Sequence, residues 1–360
     1  MSDWKSVLKA DPIPWLLEPE NPSVRYFTLT DLLERPKDDP QVVTAKRAIP
    51  TSKVVARIFS KQDAAGFWES AERPYIPKYK ATYWQIMLLS LLGLDREDDR
   101  VRTACEHIFR FQLEEGGFSE LGEEAAKREY LRKLEAAHKR SKKLPDERPF
   151  IADLIRQMEL SCLTGNVVAA LLRLGYGGNP RVRKAIEWLI SIQNKDGGWL
   201  CPYWKAHLKD THSCFMGTIT PLEAFSLVLS SAEVEVPVEE RTKEMKEAIE
   251  RGAEFLLMHR LFKADHHDFR VIKQDWLKFG FPWFYRYDVL RGLLVITRLG
   301  YTNDERLNDA LELLLAKQGQ DGRWILERTP SGRMHASLGP KGKPNKWVTL
   351  NALRVLKRLA

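Results

Sequence analysis

The sequence predicts an all-α protein, and more specifically an α/α toroid in which an outer ring of helices surrounds an inner ring. Three observations lead to this prediction: a short motif that recurs four times, an amphipathic helix pattern before the motif, and a more uniformly apolar helix pattern after it. We expect about five to six helix pairs in a single domain spanning residues 1–360.

The recurring motif is a Gln followed by Gly four residues later and by Trp or Phe six residues later. Its copies are KQDAAGFW (61–68), FQLEEGGF (111–118), IQNKDGGW (192–199) and KQGQDGRW (317–324). The Gly can end a helix in a left-handed turn. The Gln can bond the unsatisfied groups of a helix end, and the aromatic ring can pack against the neighbouring repeat. We therefore predict a structural role for the motif.

Each repeat contains two helical segments of different character. The segment before the motif is amphipathic, as in PRVRKAIEWLISIQ (180–193), which is typical of a helix with one exposed face. The segment after it is apolar on most faces, as in CLTGNVVAALLRLGY (162–176), and has to be covered on most faces. The second kind of helix is predicted to form the inner ring. An earlier pair, within residues 22–35 and 40–62, would begin the circle.

A charged segment at residues 120–150 interrupts the repeats and is predicted to be a helical insertion. Between residues 127 and 143 there are eight Lys and Arg side chains and two Glu side chains, within a chain whose net charge is +8. Such a run is most often a solvated helix face. It also leaves open a docking surface for a protein partner or an anionic membrane, whereas we expect no specific nucleic-acid binding.

The composition is that of a globular protein, with 44% hydrophobic and 29% charged residues. The longest apolar segments are shorter than the roughly 20 residues of a transmembrane helix. The N-terminus lacks the pattern of a secretory signal peptide, so we expect a cytoplasmic protein. Four cysteines are too few for a disulfide scaffold.

The motif resembles the repeat of squalene and oxidosqualene cyclases and of protein prenyltransferase beta subunits, which share an α/α toroid fold. The resemblance covers the chain from about residue 20 onwards. It implies a cavity inside the inner ring that is lined by aromatic side chains and takes an isoprenoid or other apolar substrate. The candidate substrate-binding residues are Tyr83, Trp84, Trp204, Trp283, Phe284, Arg286 and Trp347. The alternative is that these aromatic side chains simply fill the interior.

The acidic motifs that the resemblance would require are missing. Squalene-type cyclases protonate an alkene with an Asp-x-Asp-Asp acid, and class I terpene synthases bind magnesium with Asp-Asp-x-x-Asp. The string DREDD (95–99) lies between two predicted helices, where acids favour a helix start. The candidate catalytic residues are therefore Asp288, in the first turn of an inner helix, together with Asp210 and Tyr287. For Asp288 the alternative is an ion pair with a neighbouring arginine.

Three cysteines and a histidine are predicted to meet at one end of the inner ring. Cys162 and Cys214 each open an inner helix, Cys201 lies in the loop before the second of these, and His212 is two residues before Cys214. Thiolate and imidazole are preferred zinc ligands, so these four residues are the candidate zinc site. The alternative for each cysteine is a buried small hydrophobic residue.

Farnesyltransferase beta subunits hold zinc partly with a cysteine that opens one inner helix and a histidine that opens a later one. Cys162 and His212 match these two ligands loosely, but the aspartate two residues before the cysteine is unmatched, because position 160 is Leu. Cys201 or Cys214 would have to replace it. Lanthionine synthetase C-like toroids are a second partial likeness, because their zinc is held by a Trp-Cys string and a Cys-His pair. The string GWLC (198–201) fits the first loosely, but Phe215 follows Cys214 where the second needs His.

Two functions from different classes follow. The leading one is a prenyltransferase-like or terpenoid-cyclase-like enzyme, a transferase or cyclase, with zinc at the cavity mouth and an isoprenoid or other apolar substrate. The alternative is a non-catalytic toroid that binds a lipid or a protein and uses zinc structurally. Prenyltransferase beta chains work with an alpha chain, so a partner-dependent subunit is a third reading.

Overall fold

The computed structural model shows an α/α toroid and confirms the predicted fold class. It describes residues 4–139, 143–200, 212–230, 239–330 and 333–360. These residues are mostly helical, with isolated β-bridges and no strand among them. The α-helices are α1 (Ile13–Leu16), α2 (Pro22–Phe27), α3 (Pro40–Ala48), α4 (Lys53–Phe59), α5 (Thr82–Leu91), α6 (Asp99–Phe109), α7 (Glu123–His138), α8 (Glu147–Gln157), α9 (Ser161–Arg173), α10 (Pro180–Ser191), α11 (Phe215–Ser230), α12 (Glu239–Met258), α13 (Val289–Arg298), α14 (Asn308–Ala316) and α15 (Lys346–Arg358). A π-helix (Thr28–Leu32) continues α2, and 3-10 helices occupy Trp4–Val7, Gln274–Leu277 and Glu305–Leu307.

The inner ring is built from α5, α9, α11, α13, α15 and the segment made of α2 and the π-helix. Within the described residues α5 packs on α9, α9 on α11, α11 on α13, and α13 on α15. α15 in turn packs on α2 and the π-helix. These helices are buried on most faces; in α13 every residue from Val289 to Thr297 is buried. Side chains from distant parts of the chain therefore face one central space.

The outer ring consists of α3, α6, α10, α12 and α14, each of which packs against an inner helix next to it in the chain. The amphipathic pattern explains this placement. In α10 the buried residues Val182, Ala185, Ile186 and Leu189 follow the three- and four-residue spacing of one helix face. The outer helices thus cover the outside of the inner ring and keep a polar face towards water.

The two ends of the chain close the ring. Lys346 in α15 pairs with Glu18 at 2.7 Å, and Lys9 donates to both the side chain and the backbone carbonyl of Gln318. A Cβ atom added to Gly322 would collide with the backbone of Ala10. The last motif therefore packs against the N-terminal segment as the earlier motifs pack against the repeat that follows them.

The hydrogen bonds of the motif explain its fixed spacing. In three copies the Gln side chain donates to the carbonyl of its own Gly and to a carbonyl of the next outer helix. The indole N–H of Trp68, Trp199 and Trp324 donates to a carbonyl 10 residues earlier. A threonine of the following inner helix accepts the backbone N–H of the aromatic residue. The accepting residues are Thr82, Thr164, Thr218 and Thr349.

The charged insertion contains α7 and α8, which pack against each other with the rings of Tyr130 and Phe150 5.2 Å apart. The basic side chains of its described residues lie on the surface, and Arg132 pairs with Glu129 on the same helix. None of the described helices combines the length and the apolar character that a bilayer-spanning helix needs.

A buried loop, residues 279–288, lies across the amino ends of three inner helices. The ring of Phe281 stacks on Trp347 in the first turn of α15, at 4.8 Å and 10°. Phe284 packs edge-on against Trp84 in the first turn of α5. The guanidinium of Arg291 in α13 donates to the carbonyls of Phe284 and Arg286. This loop closes the ring at the amino ends of the inner helices.

Candidate functional site

The central space of the toroid contains a cavity of about 540 Å³. Its wall is built by every segment of the inner ring, together with Phe281 and Trp283 from the buried loop. The volume lies in the range of about 300–1,000 Å³ that is typical of small-molecule sites. The inner ring therefore encloses a space large enough for a ligand.

The end of the cavity next to the buried loop is apolar and largely aromatic. Phe281, Trp283 and Trp347 are buried there, and the aliphatic side chain of Leu294 adds to the wall. Phe27 lies on the same wall, with its ring edge-on to Trp347 at 6.3 Å. This end presents ring faces and hydrocarbon to whatever occupies the cavity.

The opposite end of the cavity is basic. The charged residues of the wall are Lys46, Arg173, Arg298, Arg354, Arg358, Asp31 and Glu223. The four arginines are half-buried, and they lie in the last two turns of α9, α13 and α15. In α15, Trp347 and Arg358 are 11 residues apart, which places them about 16 Å apart along the helix axis. At this basic end the side chains of Lys46 and Asp31 are each 36% exposed, so the cavity opens to solvent at the carboxyl ends of the inner helices. We call this opening the cavity mouth.

Both carboxylates of the wall are held in ion pairs. Glu223 pairs with Arg291 at 2.6 Å and also with Arg173. Burial alone would raise the pKa of Glu223, but the charges of these two arginines outweigh it and lower the pKa to about 2. Asp31 pairs with Arg354 at 2.5 Å, and this charge likewise outweighs burial and lowers the pKa of Asp31. Both groups are thus ionised at neutral pH.

Arg298 and Arg358 differ from the other arginines because neither has a carboxylate partner among the described residues. Arg358 donates to the carbonyl of Leu294 at 3.3 Å, whereas the buried Nη1 of Arg298 has no hydrogen-bond partner in the part of the chain that the structure describes. Burial and the charges of Arg358 and Arg173 lower the pKa of Arg298 to about 9. Burial and the charge of Arg354 lower the pKa of Arg358 to about 10. The cavity mouth thus carries positive charge that its described surroundings do not neutralise.

The predicted catalytic residues lie away from this wall. Asp288 is fully buried and caps α13: its carboxylate accepts from the backbone N–H groups of Gly280 and Arg291 and from the indole of Trp283. Burial raises the pKa of Asp288 to about 6. Tyr287 donates its hydroxyl to the carbonyl of Leu261, and Asp210 lies outside the described residues. Asp288 reaches the cavity only through Trp283, which it orients.

The predicted substrate-binding residues divide into several groups. Trp283 and Trp347 line the central cavity, and Phe284 lines a separate small pocket together with Arg291. Trp84 is buried within an aromatic cluster, and Tyr83 is buried with its hydroxyl bonded to the carbonyl of Ser119.

The remaining two substrate-binding predictions concern other parts of the chain. Arg286 lies in an open surface pocket with Lys78, Tyr79 and Tyr285. Trp204 lies outside the described residues. Tyr79 and Tyr285 place their hydroxyls 3.2 Å apart in that pocket.

The predicted zinc ligands are only partly described, because Cys201 lies outside the described residues. Cys214 is buried and Cys162 is half-buried. The ring of His212 lies 5.6 Å from that of Phe255 and 5.9 Å from that of His259. Among residues 4–139, 143–200, 212–230, 239–330 and 333–360, no group of three or more His, Cys, Asp or Glu side chains is placed to hold a metal ion.

Sequence reasoning missed the arginines that line the cavity mouth. Each belongs to a helix that otherwise reads as apolar, as in LLRLG (171–175) and ITRLG (296–300). A basic residue at the end of an apolar helix is ordinarily explained by the helix dipole. The signal that could have found them is that several inner helices end this way and that the fold brings these ends together.

Solved structures with a similar backbone path include a protein from Actinoplanes and the type II terpene cyclase MstE from Scytonema. The Actinoplanes protein is 15% identical over 94% of this chain and 90% of its own, with a TM-score of 0.44. The apo cyclase is 15% identical over 94% of this chain and 87% of its own, also with a TM-score of 0.44. No protein-family model and no curated protein matches the chain. The likeness concerns the fold alone.

Proposed function

We propose that this chain is a terpenoid cyclase-like protein that acts on an apolar, isoprenoid-type molecule held in its central cavity. The observation that carries the proposal is the closed aromatic end of the cavity, formed by Phe281, Trp283 and Trp347. The motif that resembles the repeat of squalene cyclases and prenyltransferase beta subunits supports the same class of ligand.

The aromatic end suits such a ligand for two physical reasons. Moving hydrocarbon out of water contributes about 25 cal/mol per Å² of apolar surface, so a closed apolar end binds a branched hydrocarbon chain well. The faces of tryptophan and phenylalanine rings also attract a cation. A wall containing Trp283 and Trp347 can therefore hold the chain and favour a carbocation within it.

A second candidate function is a non-catalytic toroid that binds a lipid. The ion pairs of Glu223 and Asp31 favour it, because a carboxylate that stays ionised cannot protonate an alkene. Neither residue is thus a suitable general acid, and among the described wall residues there is no other carboxyl group. The two candidates differ in one observable, the formation of a product.

The test is a binding and turnover experiment with a panel of isoprenoids of different chain length. Calorimetry measures binding, and gas chromatography with mass spectrometry detects a cyclised or transferred product. Leu227→Trp fills the cavity from a half-buried wall position of α11 and should abolish binding. Leu229→Trp, on the same helix at a position that is 47% exposed, is the matched control and should bind normally.

Saturable binding without product would favour the lipid-binding candidate, and product would favour the enzyme. Absence of binding by every isoprenoid, or equal binding by the two tryptophan variants, would refute the assignment of the ligand to this cavity.

We also propose a zinc site, which is tested independently of the isoprenoid cavity. Its ligands would be Cys162, Cys201, His212 and Cys214, whose thiolates and imidazole are suited to zinc. Metal analysis of the purified protein by mass spectrometry tests it directly. About one equivalent of zinc that is lost in Cys162→Ser and in Cys201→Ser would support the site, whereas zinc-free native protein would argue against it.

A further inference from the structure

We propose that the molecule bound in the central cavity ends in an oxyanion, a carboxylate or a phosphate, which Arg298 and Arg358 bind at the cavity mouth. This inference rests on the proposed function, because it concerns the head group of the same apolar ligand. It adds the charge of the ligand, the residues that recognise it and the direction in which the ligand lies.

The first argument is the balance of charge at the mouth. The described wall carries five basic side chains and two acidic ones. Glu223 is shared between Arg173 and Arg291, Asp31 pairs with Arg354, and Lys46 pairs with Asp95 at 2.8 Å. The two arginines without a carboxylate partner among the described residues are therefore neighbours in one cavity rather than scattered over the surface. A bound carboxylate would offset one of their charges, and a doubly ionised phosphate would offset both.

The second argument is that N–H donors of Arg298 and Arg358 at the cavity mouth remain without an acceptor among the described residues. A guanidinium has five N–H donors in a planar fork that fits a carboxylate or a phosphate. Arg358 uses one donor on the carbonyl of Leu294, one turn before Arg298 on α13. The buried Nη1 of Arg298 has no partner among the described residues. A buried donor without an acceptor is costly, and an oxyanion supplies the missing acceptor.

The ordinary explanation of these arginines is the helix dipole, since cations near a carboxyl end stabilise a helix. It accounts for Lys46, which donates to the carbonyl of Gly93, and for Lys357, which donates to the carbonyls of Asp31 and Leu32. It does not account for Arg298, whose Nη1 reaches no carbonyl among the described residues. Arg298 and Arg358 repel each other, and the helix dipole does not compensate for this repulsion at the unpaired Nη1. A bound anion would compensate for it.

The shape of the cavity then fixes the orientation of the ligand. The aromatic end beside Trp347 and the arginine end beside Arg358 are about 16 Å apart along α15. The apolar chain therefore lies inwards against the ring faces, and the charged head faces the mouth. A ligand with this polarity enters chain first through the carboxyl ends of the inner helices.

The experiment measures the affinity of the purified protein for three ligands with the same isoprenoid chain: the carboxylic acid, the monophosphate and the alcohol. Each charge-assisted hydrogen bond is expected to change affinity by about 10- to 100-fold. We expect the acid, the monophosphate or both to bind at least about 10-fold more tightly than the alcohol. Inorganic phosphate is titrated separately, to distinguish a lipid head group from a free ion.

The variants Arg298→Gln and Arg358→Gln should each remove most of the preference for the anion, because each should lower the affinity for the acid and the monophosphate at least about 10-fold more than the affinity for the alcohol. Arg102→Gln, which changes an exposed arginine of α6 that pairs with Asp99, is the control for net charge. Circular dichroism shows whether each variant is folded, and the two single variants provide independent tests.

The outcomes separate this inference from the proposed function. Equal affinities for the acid, the monophosphate and the alcohol would overturn the oxyanion assignment and leave the isoprenoid cavity intact. An anion preference that survives in both glutamine variants would overturn the assignment to Arg298 and Arg358. Binding of inorganic phosphate alone, with no isoprenoid bound, would support the arginine site and contradict the proposed function.

Discussion

Replacing Arg298 with methionine is predicted to stabilise the ligand-free protein. Arg298 is the last residue of α13, close to Arg358 and Arg173, and its buried Nη1 has no acceptor among the described residues. Methionine keeps an unbranched, apolar stem of similar reach and removes the charged group. The substitution therefore removes an uncompensated cation and creates no unpaired anion, since Arg298 has no carboxylate partner in the described part of the chain.

The size of the effect follows from the desolvation of one unsatisfied group, about 1–3 kcal/mol. An unfolding entropy of about 2.1 cal/mol/K per residue gives about 0.76 kcal/mol/K for a chain of 360 residues. The melting temperature should therefore rise by about 1–4 °C. Differential scanning calorimetry of the ligand-free protein at neutral pH measures this change.

Arg291→Met is the matched control, because it also replaces an arginine of α13. Arg291 pairs with Glu223 and holds the buried loop through the carbonyls of Phe284 and Arg286. Removing one partner of a buried pair typically costs about 3–5 kcal/mol, so this variant should melt at a lower temperature. If Arg298→Met also melted at a lower temperature than the native protein, Arg298 would be a structural residue and the argument from its missing partner would fail.

Three further substitutions test other parts of the structure. Burial and a neighbouring carboxylate raise the pKa of Glu159 to about 7, so the folded state binds more protons than the unfolded state between pH 4.5 and 7 and loses stability as the pH rises through this window. Glu159→Gln should therefore raise the melting temperature at pH 8 and change it little at pH 4.5, and an equal change at both pH values would contradict this. Gly322→Ala should lower the melting temperature by more than Gly342→Ala: both positions have positive φ, but only the first meets a packed backbone. An equal fall in melting temperature for the two variants would show that backbone strain at positive φ, and not the contact with Ala10, determines the effect. Asp288→Asn should weaken ligand binding in calorimetry by loosening Trp283, and unchanged affinity would show that the loop holds this ring by itself.

The fold could be predicted from the sequence because its determinants are local. The spacing of Gln, Gly and Trp within each motif, and the apolar pattern of the helix that follows, are both visible without knowing any long-range contact. The threonines that accept the backbone N–H of the motif aromatics were not predictable in this way. Thr218 and Thr349, for example, are ordinary residues of apolar helices until the fold places them beside Trp199 and Trp324.

The candidate site was only partly predictable, because its chemistry depends on pairings between distant helices. The aromatic positions of Trp283 and Trp347 could be anticipated from their place before or at the start of an inner helix. The role of an arginine could not be anticipated from the sequence, because it depends on whether a neighbouring helix places a carboxylate within reach of the guanidinium. Arg173 meets Glu223, which is 50 residues away in the chain, whereas Arg298 meets no carboxylate among the described residues.

The predicted zinc site and the proposed head-group site lie at opposite ends of the inner ring. Cys162 is the second residue of α9 and Arg173 is its last, so the predicted zinc site and the described cavity mouth lie at opposite ends of the same helices. The buried loop, clamped by Arg291, lies across the amino ends of α5, α13 and α15 and forms the aromatic end of the cavity. A metal bound at Cys162 would therefore be separated from the mouth by the length of the inner ring. Loss of such a metal should change the stability of the fold before it changes recognition of the ligand's head group.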